Sequence, residues 1–489
     1  MLFEAFKRMR EERPGAPAFL VASGDRSLPI NWRQFTDDID LVVRLVRQYA
    51  PGEKVMLLGE NSYEWIVAHA AILFAGATVL PTDVNLSAAE IAERIRFAGV
   101  SVLVYSALHS DKAHEVRSLV PWLKTGGFGS LKTERFLDGV RSLFKPKDSI
   151  WNNDSVDTSI VSTIVFTSGT TSVPRGAELT IEGIETCVEA WGAALPVKPG
   201  DRTLMLLPLH HIYGLCATYL FLARGAALGV CPDFRRLYDA VERFRVNYVA
   251  LVPALADILA QKIEHRGKSA EEALGQPLDW VLAGGAPLSR LTYERLNALG
   301  IRTLTAYGLT ETSALYAIEP ASDPSHACSA GKVPACRGVE TKVGEGGELL
   351  IRGPSVMKGY FREPERTAAV IDADGWFHTG DTGLIDEEGY VWITGRASRT
   401  IVLSSGKKVA PEELESMLLG IPGVREAVVS GDSETRSIRA EVYGTVSEDS
   451  IRRVVGEMNL SLPCYKRINE VKVRSTPFER TSSGKIMTR

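Results

Sequence analysis

Helical and strand patterns alternate without a break through the first 120 residues, and that alternation leaves few architectures open. WRQFTDDIDLVVRLVRQ (residues 32–48) spaces its apolar positions at helical intervals, and Gly52 precedes a strand at Lys54–Leu58. SYEWIVAHAAILFAGA reads as a helix and ATVLPT as the strand after it. LSAAEIAERIRFAG is a further helix, capped by Ser87, and SVLVYS the next strand. Strands separated by helices in this way predict an α/β sheet with both faces covered.

A second α/β series runs from Thr158 to about Thr305, with buried-strand signals at STIVF, TLMLL, YVALV and WVLAG. Between the two series, Lys124 to Asp157 reads as an irregular, polar surface excursion. From Ala330 to Thr394 short strands with Gly-rich turns (GELLIRG, YVWITG) predict a small β-rich subdomain. VAPEELESMLLG, EAVVSG, IRAEVYG and INEVKV then form a compact α+β series. A boundary near residues 396–399 divides the chain into a large domain, 1–395, and a small one, 396–489. A length of 489 residues agrees with roughly three folding units at about 150 residues each.

Composition excludes several classes. Lys plus Arg is 56 against 60 Asp plus Glu, a net charge of −4, without the basic excess of a nucleic-acid binder. Six cysteines form no CxxC or other ligand-like spacing, so reduced thiols and a cytoplasmic location are expected. The N-terminal MLFEAFKRMREERPGAP is a charged amphipathic helix. Ile66–Leu80 is interrupted by His69 and Gly76, and Tyr213–Val230 contains Arg224. Both read as buried core, and no transmembrane segment is expected.

The segment TSIVSTIVFTSGTTSVPRGAEL (158–179) carries the strongest chemical signal. A β-branched strand runs into Thr167, Ser168, Gly169, Thr170, Thr171, Ser172, Val173, Pro174, Arg175 and Gly176. Glycines and small hydroxyl residues let a backbone close around an anion, and Arg175 adds the cation. The spacing is not that of a GxxxxGK[ST] loop, and GxGxxG is absent. Downstream lie Leu207-Pro208-Leu209-His210-His211-Ile212-Tyr213-Gly214, the turn Gly284-Gly285-Ala286-Pro287-Leu288, and Tyr307-Gly308-Leu309-Thr310-Glu311. Gly375-Trp376-Phe377-His378-Thr379-Gly380-Asp381, Gly395-Arg396 and Ser482-Ser483-Gly484-Lys485 complete the series.

The loop and the six motifs that follow it in this order resemble the adenylate-forming superfamily: acyl-CoA synthetases, carrier-loading adenylation domains and beetle luciferases. The resemblance covers essentially the whole chain, with Ser172 and Arg175 standing where the family usually has Gly and Lys. It implies an acetyl-CoA synthetase-like fold whose small domain moves as a lid about a hinge at Ser398. It implies ATP held by Thr167–Thr171, Arg175, Gly176, Gly285–Pro287, Tyr307, Gly308, Asp381 and Arg396. Mg²⁺ would be held by Thr170 and Glu311, as this ion favours a carboxylate plus substrate phosphates. Thr310 would reach a phosphate, and Asp381, after a Gly on a tight turn, both ribose hydroxyls.

Lys485 would lie between carboxylate and α-phosphate, screening their repulsion. His211 would sit near the acyl carboxylate and the thiol path. Adjacent histidines on a strand face opposite ways, so His210 and His211 are not expected to share a metal. The implied reaction joins a carboxylic acid, most like a medium- or long-chain fatty acid, to coenzyme A through an acyl-adenylate. An aryl acid, a carrier-protein thiol and a non-catalytic nucleotide-binding relative remain alternatives; nothing specifically indicates a luciferase-like oxygenase. Leu215, Tyr219 and Leu222 share a helix face that reads as ordinary core or as one side of an aliphatic pocket.

Overall fold

The computed structural model describes residues 1–24, 26–128, 149–153, 155–167, 175–320, 323–334, 336, 338–403, 407–431, 437–479 and 486. Its largest sheet has six strands, in spatial order Lys124–Phe128, Val102–Ser106, Lys54–Leu58, Thr78–Thr82, Val161–Thr167 and Arg175–Thr180. All pair in parallel except the last, which returns antiparallel to Val161–Thr167. Helix Ala88–Ala98 on this sheet starts at a capping box between Ser87 and Glu90 and ends at Gly99 in the left-handed region. That accounts for the boundaries read from sequence.

Lys124–Phe128 is a strand at the edge of the sheet and not part of the irregular excursion expected from Lys124; residues 129–148 of that stretch lie outside the described residues. As an edge strand it is half exposed, with glycines at 126 and 127, and offers no apolar run to read. Further on, Ile150 and Trp151 are buried in the core rather than exposed.

A second sheet pairs Tyr248–Leu251, Trp280–Gly284 and Arg302–Tyr307 in parallel, with Ala317–Ile318 antiparallel at its edge. A third joins Arg26–Asn31, Pro17–Ser23, Ala227–Val230 and Arg202–Met205. Helices Tyr63–Phe74 and Ile212–Ala223 lie almost wholly inside, as the two apolar runs predicted. No helix among the described residues is long and apolar enough to cross a membrane.

The β-rich unit is an antiparallel sheet of Glu340–Val343, Glu348–Arg352, Phe377–Ile385 and Val391–Arg396. Beyond it, Val424–Gly431, Ile438–Gly444 and Ile468–Arg474 form a three-stranded sheet with helices Pro411–Leu419 and Glu448–Ser461. Leu414, Leu418, Val442 and Ile451 centre a core separate from that of the large domain. The observed architecture is the α/β class with a small α+β C-terminal unit that the succession of helix and strand patterns predicted.

Candidate active site

Strand direction places several of the motifs at the carboxyl ends of parallel strands. Val161–Thr167 runs parallel to Thr78–Thr82, so Thr167 stands at its carboxyl end and Arg175 begins the returning strand. Trp280–Gly284 and Arg302–Tyr307 are parallel neighbours, which puts Gly285–Pro287 and Gly308 beside each other past their carboxyl ends. In open parallel sheets that edge is where ligands bind. Gly285 has φ +80°, and it, Ala286 and Pro287 are exposed. Below the turn the Tyr213 hydroxyl donates to the carbonyls of Leu251 (3.2 Å) and Leu282 (2.8 Å), tying adjacent strands together. Ser168, Gly169, Thr170, Thr171, Ser172 and Lys485 lie outside the described residues.

Asp381 joins the β-rich unit to this edge. Its Oδ2 accepts the Tyr307 hydroxyl at 2.5 Å, and its Oδ1 lies 2.8 Å from Arg396 Nε, its cross-strand partner. Asp381 is buried, while Arg396 is about half exposed at 51%. Asp381 lies within strand Phe377–Ile385, not at the tip of a tight turn as its sequence suggested. Gly380, at φ +71°, supplies the irregularity inside the strand. Burial, then the Asp381 charge, pushes the Tyr307 phenol well up, so it stays a donor at neutral pH.

Glu311 is held on the short turn Thr310–Thr312, with Thr310 half-buried beside it. The chain reverses through Ser313 (φ 51°) and Ala314 (φ 65°), folding back over Gly308. A Cβ on Gly308 would lie 2.2 Å from the Ala314 backbone, so no other residue fits there. Glu311 Oε1 accepts the Tyr360 hydroxyl at 2.8 Å, and the Arg175 guanidinium lies 5.9 Å from the Tyr360 ring centroid. Among the described residues Oε2 accepts no hydrogen bond, which leaves a hard oxygen donor of the kind Mg²⁺ takes. Sequence reasoning missed Tyr360: nothing in GPSVMKGYF sets this aromatic apart from core.

His210 and His211 are not on a strand. They sit in the turn before helix Ile212–Ala223, with His211 as its N-cap residue and the ring centroids 4.3 Å apart. The opposite-face expectation therefore fails, because a turn has no two-residue alternation. No group of three His, Cys, Asp or Glu among the described residues is placed to hold a metal ion. His210 Nε2 is 3.7 Å from Asp83 Oδ2; burial lowers its basicity and Asp83 partly restores it. Leu215, Tyr219 and Leu222 are fully buried, with Tyr219 Oη 2.7 Å from His69 Nδ1, so this stripe is core and not pocket wall. Ser398 is exposed in the turn Ala397–Arg399, and Arg399 pairs with Glu412 (2.9 Å) and Glu415 (2.6 Å).

Two family models match: the AMP-binding enzyme over residues 6–361 and the AMP-binding enzyme C-terminal domain over residues 398–489. A 4-coumarate–CoA ligase of Oryza sativa subsp. japonica is 29% identical, covering 90% of this chain and 82% of its own. The long-chain-fatty-acid–CoA ligase FadD13 of Mycobacterium tuberculosis (strain ATCC 25618 / H37Rv) is 28% identical, covering 90% and 87%. An anthranilate CoA ligase solved in complex with anthranoyl-AMP shares the fold at a TM-score of 0.84, with 20% identity over 99% of this chain and 95% of that one. With several of its motifs at the carboxyl ends of parallel strands and a family model spanning most of its length, the chain belongs to the AMP-binding enzymes, the adenylate-forming superfamily that its sequence resembles.

Proposed function

We propose that residues 1–395 bind ATP and a carboxylic acid and that 396–489 act as a lid carrying Lys485. The protein is an AMP-forming acid–thiol ligase using ATP, Mg²⁺ and coenzyme A. The observation that carries the site assignment is the Tyr307–Asp381–Arg396 junction, which sets two charged groups beside the turns of two parallel strands. There Asp381 faces ribose hydroxyls, Arg396 the ribose or α-phosphate, and Gly285–Pro287 and Tyr307 the adenine. Arg175 and the loop from Thr167 hold the β- and γ-phosphates. Glu311 with Thr170 would hold Mg²⁺, which when bound neutralises phosphate charge.

In the first half-reaction a carboxylate oxygen bonds to the α-phosphorus and the bond to pyrophosphate breaks. Lys485 screens the two anions as they meet, and Thr310 donates to a phosphate oxygen. In the second, the thiol sulfur bonds to the acyl carbon, its proton is lost, and AMP leaves with the electron pair. No covalent enzyme intermediate is required; positioning and electrostatics supply the rate. His211 stands at the start of helix Ile212–Ala223, whose positive end favours the acid's carboxylate.

The acid is read as a medium- or long-chain fatty acid, on the Leu207–Gly214 segment and the kinship with a long-chain ligase. An aryl acid is the second reading, favoured by the 29% identity to a 4-coumarate ligase. ATP–pyrophosphate exchange across fatty acids of increasing length and a set of aromatic acids, with and without CoA, tests both. Exchange that grows with chain length, and thioester only when CoA is present, is the expected result. Exchange with aromatic acids alone would move the assignment to the second reading. Transfer only to a carrier-protein thiol would replace CoA, and no exchange with any acid would mark a non-catalytic nucleotide binder.

A further inference from the structure

We propose that Tyr360 is a positioning residue that aims the Glu311 carboxylate at the nucleotide-bound Mg²⁺ and couples it to the phosphate-loop cation Arg175. The proposal rests on the ligase reading above. A phenol carries one proton to donate and oxygen lone pairs to accept. Tyr360 donates its hydroxyl proton to Glu311 Oε1 at 2.8 Å, while the Arg175 guanidinium lies 5.9 Å from the centroid of its ring. One side chain thus binds the Glu311 carboxylate and lies beside the cation that begins strand Arg175–Thr180. With Oε1 engaged, Oε2 is the oxygen left for a cation.

The backbone around Tyr360 is clamped from both sides. Met357 N donates to the Glu311 carbonyl at 2.8 Å, and Phe361 N to the Gly176 carbonyl at 2.8 Å. Lys358 N donates to the Glu178 carbonyl (2.8 Å) and Glu178 N to the Gly359 carbonyl (3.0 Å). Tyr360 N itself donates to Thr367 Oγ1 at 2.8 Å. Gly359 makes that approach feasible: it has φ +156°, and a Cβ there would lie 2.8 Å from Thr367 Cγ2. The Tyr360 hydroxyl thus meets the Glu311 carboxylate across a chain separation of 49 residues.

The test is calorimetric titration of ATP into the full-length protein, with Mg²⁺ and with EDTA, for the parent and Tyr360→Phe. Phenylalanine keeps the ring and its contact with Arg175 and removes only the hydroxyl. Metal-free ATP affinity should stay within about twofold, while the gain in affinity on adding Mg²⁺ should fall about tenfold, as loss of a hydrogen bond to a charged group predicts. The KM for the acid should not move. Thr367→Val, which frees the Tyr360 backbone, should lose part of the same gain and serves if Tyr360→Phe does not fold. A Mg²⁺ gain equal to the parent's, or an equal loss without metal, would overturn the proposal and leave Tyr360 as packing. Failure of the parent to bind ATP under either condition would instead overturn the ligase reading, and this proposal with it.

Discussion

The Tyr307 hydroxyl and the Asp381 carboxylate, 74 residues apart, meet at 2.5 Å where the parallel sheet abuts the antiparallel one. The bond fixes where Asp381 points, because Arg396 holds its other oxygen from the opposite strand. Charge-assisted hydrogen bonds of this kind contribute about 1.5–3 kcal/mol when one partner is buried.

Tyr307→Phe should therefore raise the KM for ATP about tenfold, some 1.4 kcal/mol, with little change in the KM for the acid. Asp381→Asn should cost more, since it also strips Arg396 of its charge partner. Pyrophosphate exchange at varied ATP and fixed acid measures both. Larger movement in the acid's KM would place the ribose site elsewhere.

Two buried groups should give stability opposite pH trends. Burial raises Glu319 from 4.5 to about 7, although Asp323 N donates to its Oε1 at 2.9 Å. The folded chain holds that proton more tightly than the unfolded chain. Its contribution is full below pH 4.5 and is lost as pH rises toward 7. Burial lowers His69 from 6.5 to about 3, so its contribution is full above pH 6.5 and is lost as pH falls. Between about pH 4.5 and 6.5 the slopes oppose, each near 1.4 kcal/mol per pH unit at most. Glu319→Gln removes one of them. Measured by urea unfolding, the parent's stability relative to this variant should drop by about 2 kcal/mol from pH 5 to pH 7. A pH-independent difference would show that Glu319 ionises normally.

Ser398→Pro tests the hinge. Ala397 is helical in the turn Ala397–Arg399, and proline disfavours that conformation in the residue before it. The substitution should bias the small domain against the orientation seen here. Pyrophosphate release in a single turnover should persist while thioester formation falls at least about tenfold, as expected when a rearrangement between the half-reactions is blocked. Parent rates in both half-reactions would put the pivot elsewhere.

Much of the fold was written in local patterns. The helix cap at Ser87, the short strands and Gly-rich turns of the β-rich unit and the apolar helices around Ile66 and Leu215 follow from short-range chemistry that a linear reading detects. The edge strand Lys124–Phe128 escaped because it buries little.

Of the site, the sequence by itself determined which residue types were present and in what order: Arg175, Glu311, Asp381 and Arg396 all stand within recognisable motifs. Only the tertiary structure decided who meets whom. Asp381 belongs to Tyr307 and Arg396, Glu311 belongs to Tyr360, and the Leu215–Tyr219–Leu222 face belongs to the core. The histidine pair changed meaning for the same reason, since a turn, not a strand, carries it. Periodicity reports which way a side chain faces within its own element, whereas these partnerships are set by the packing of elements far apart in the chain.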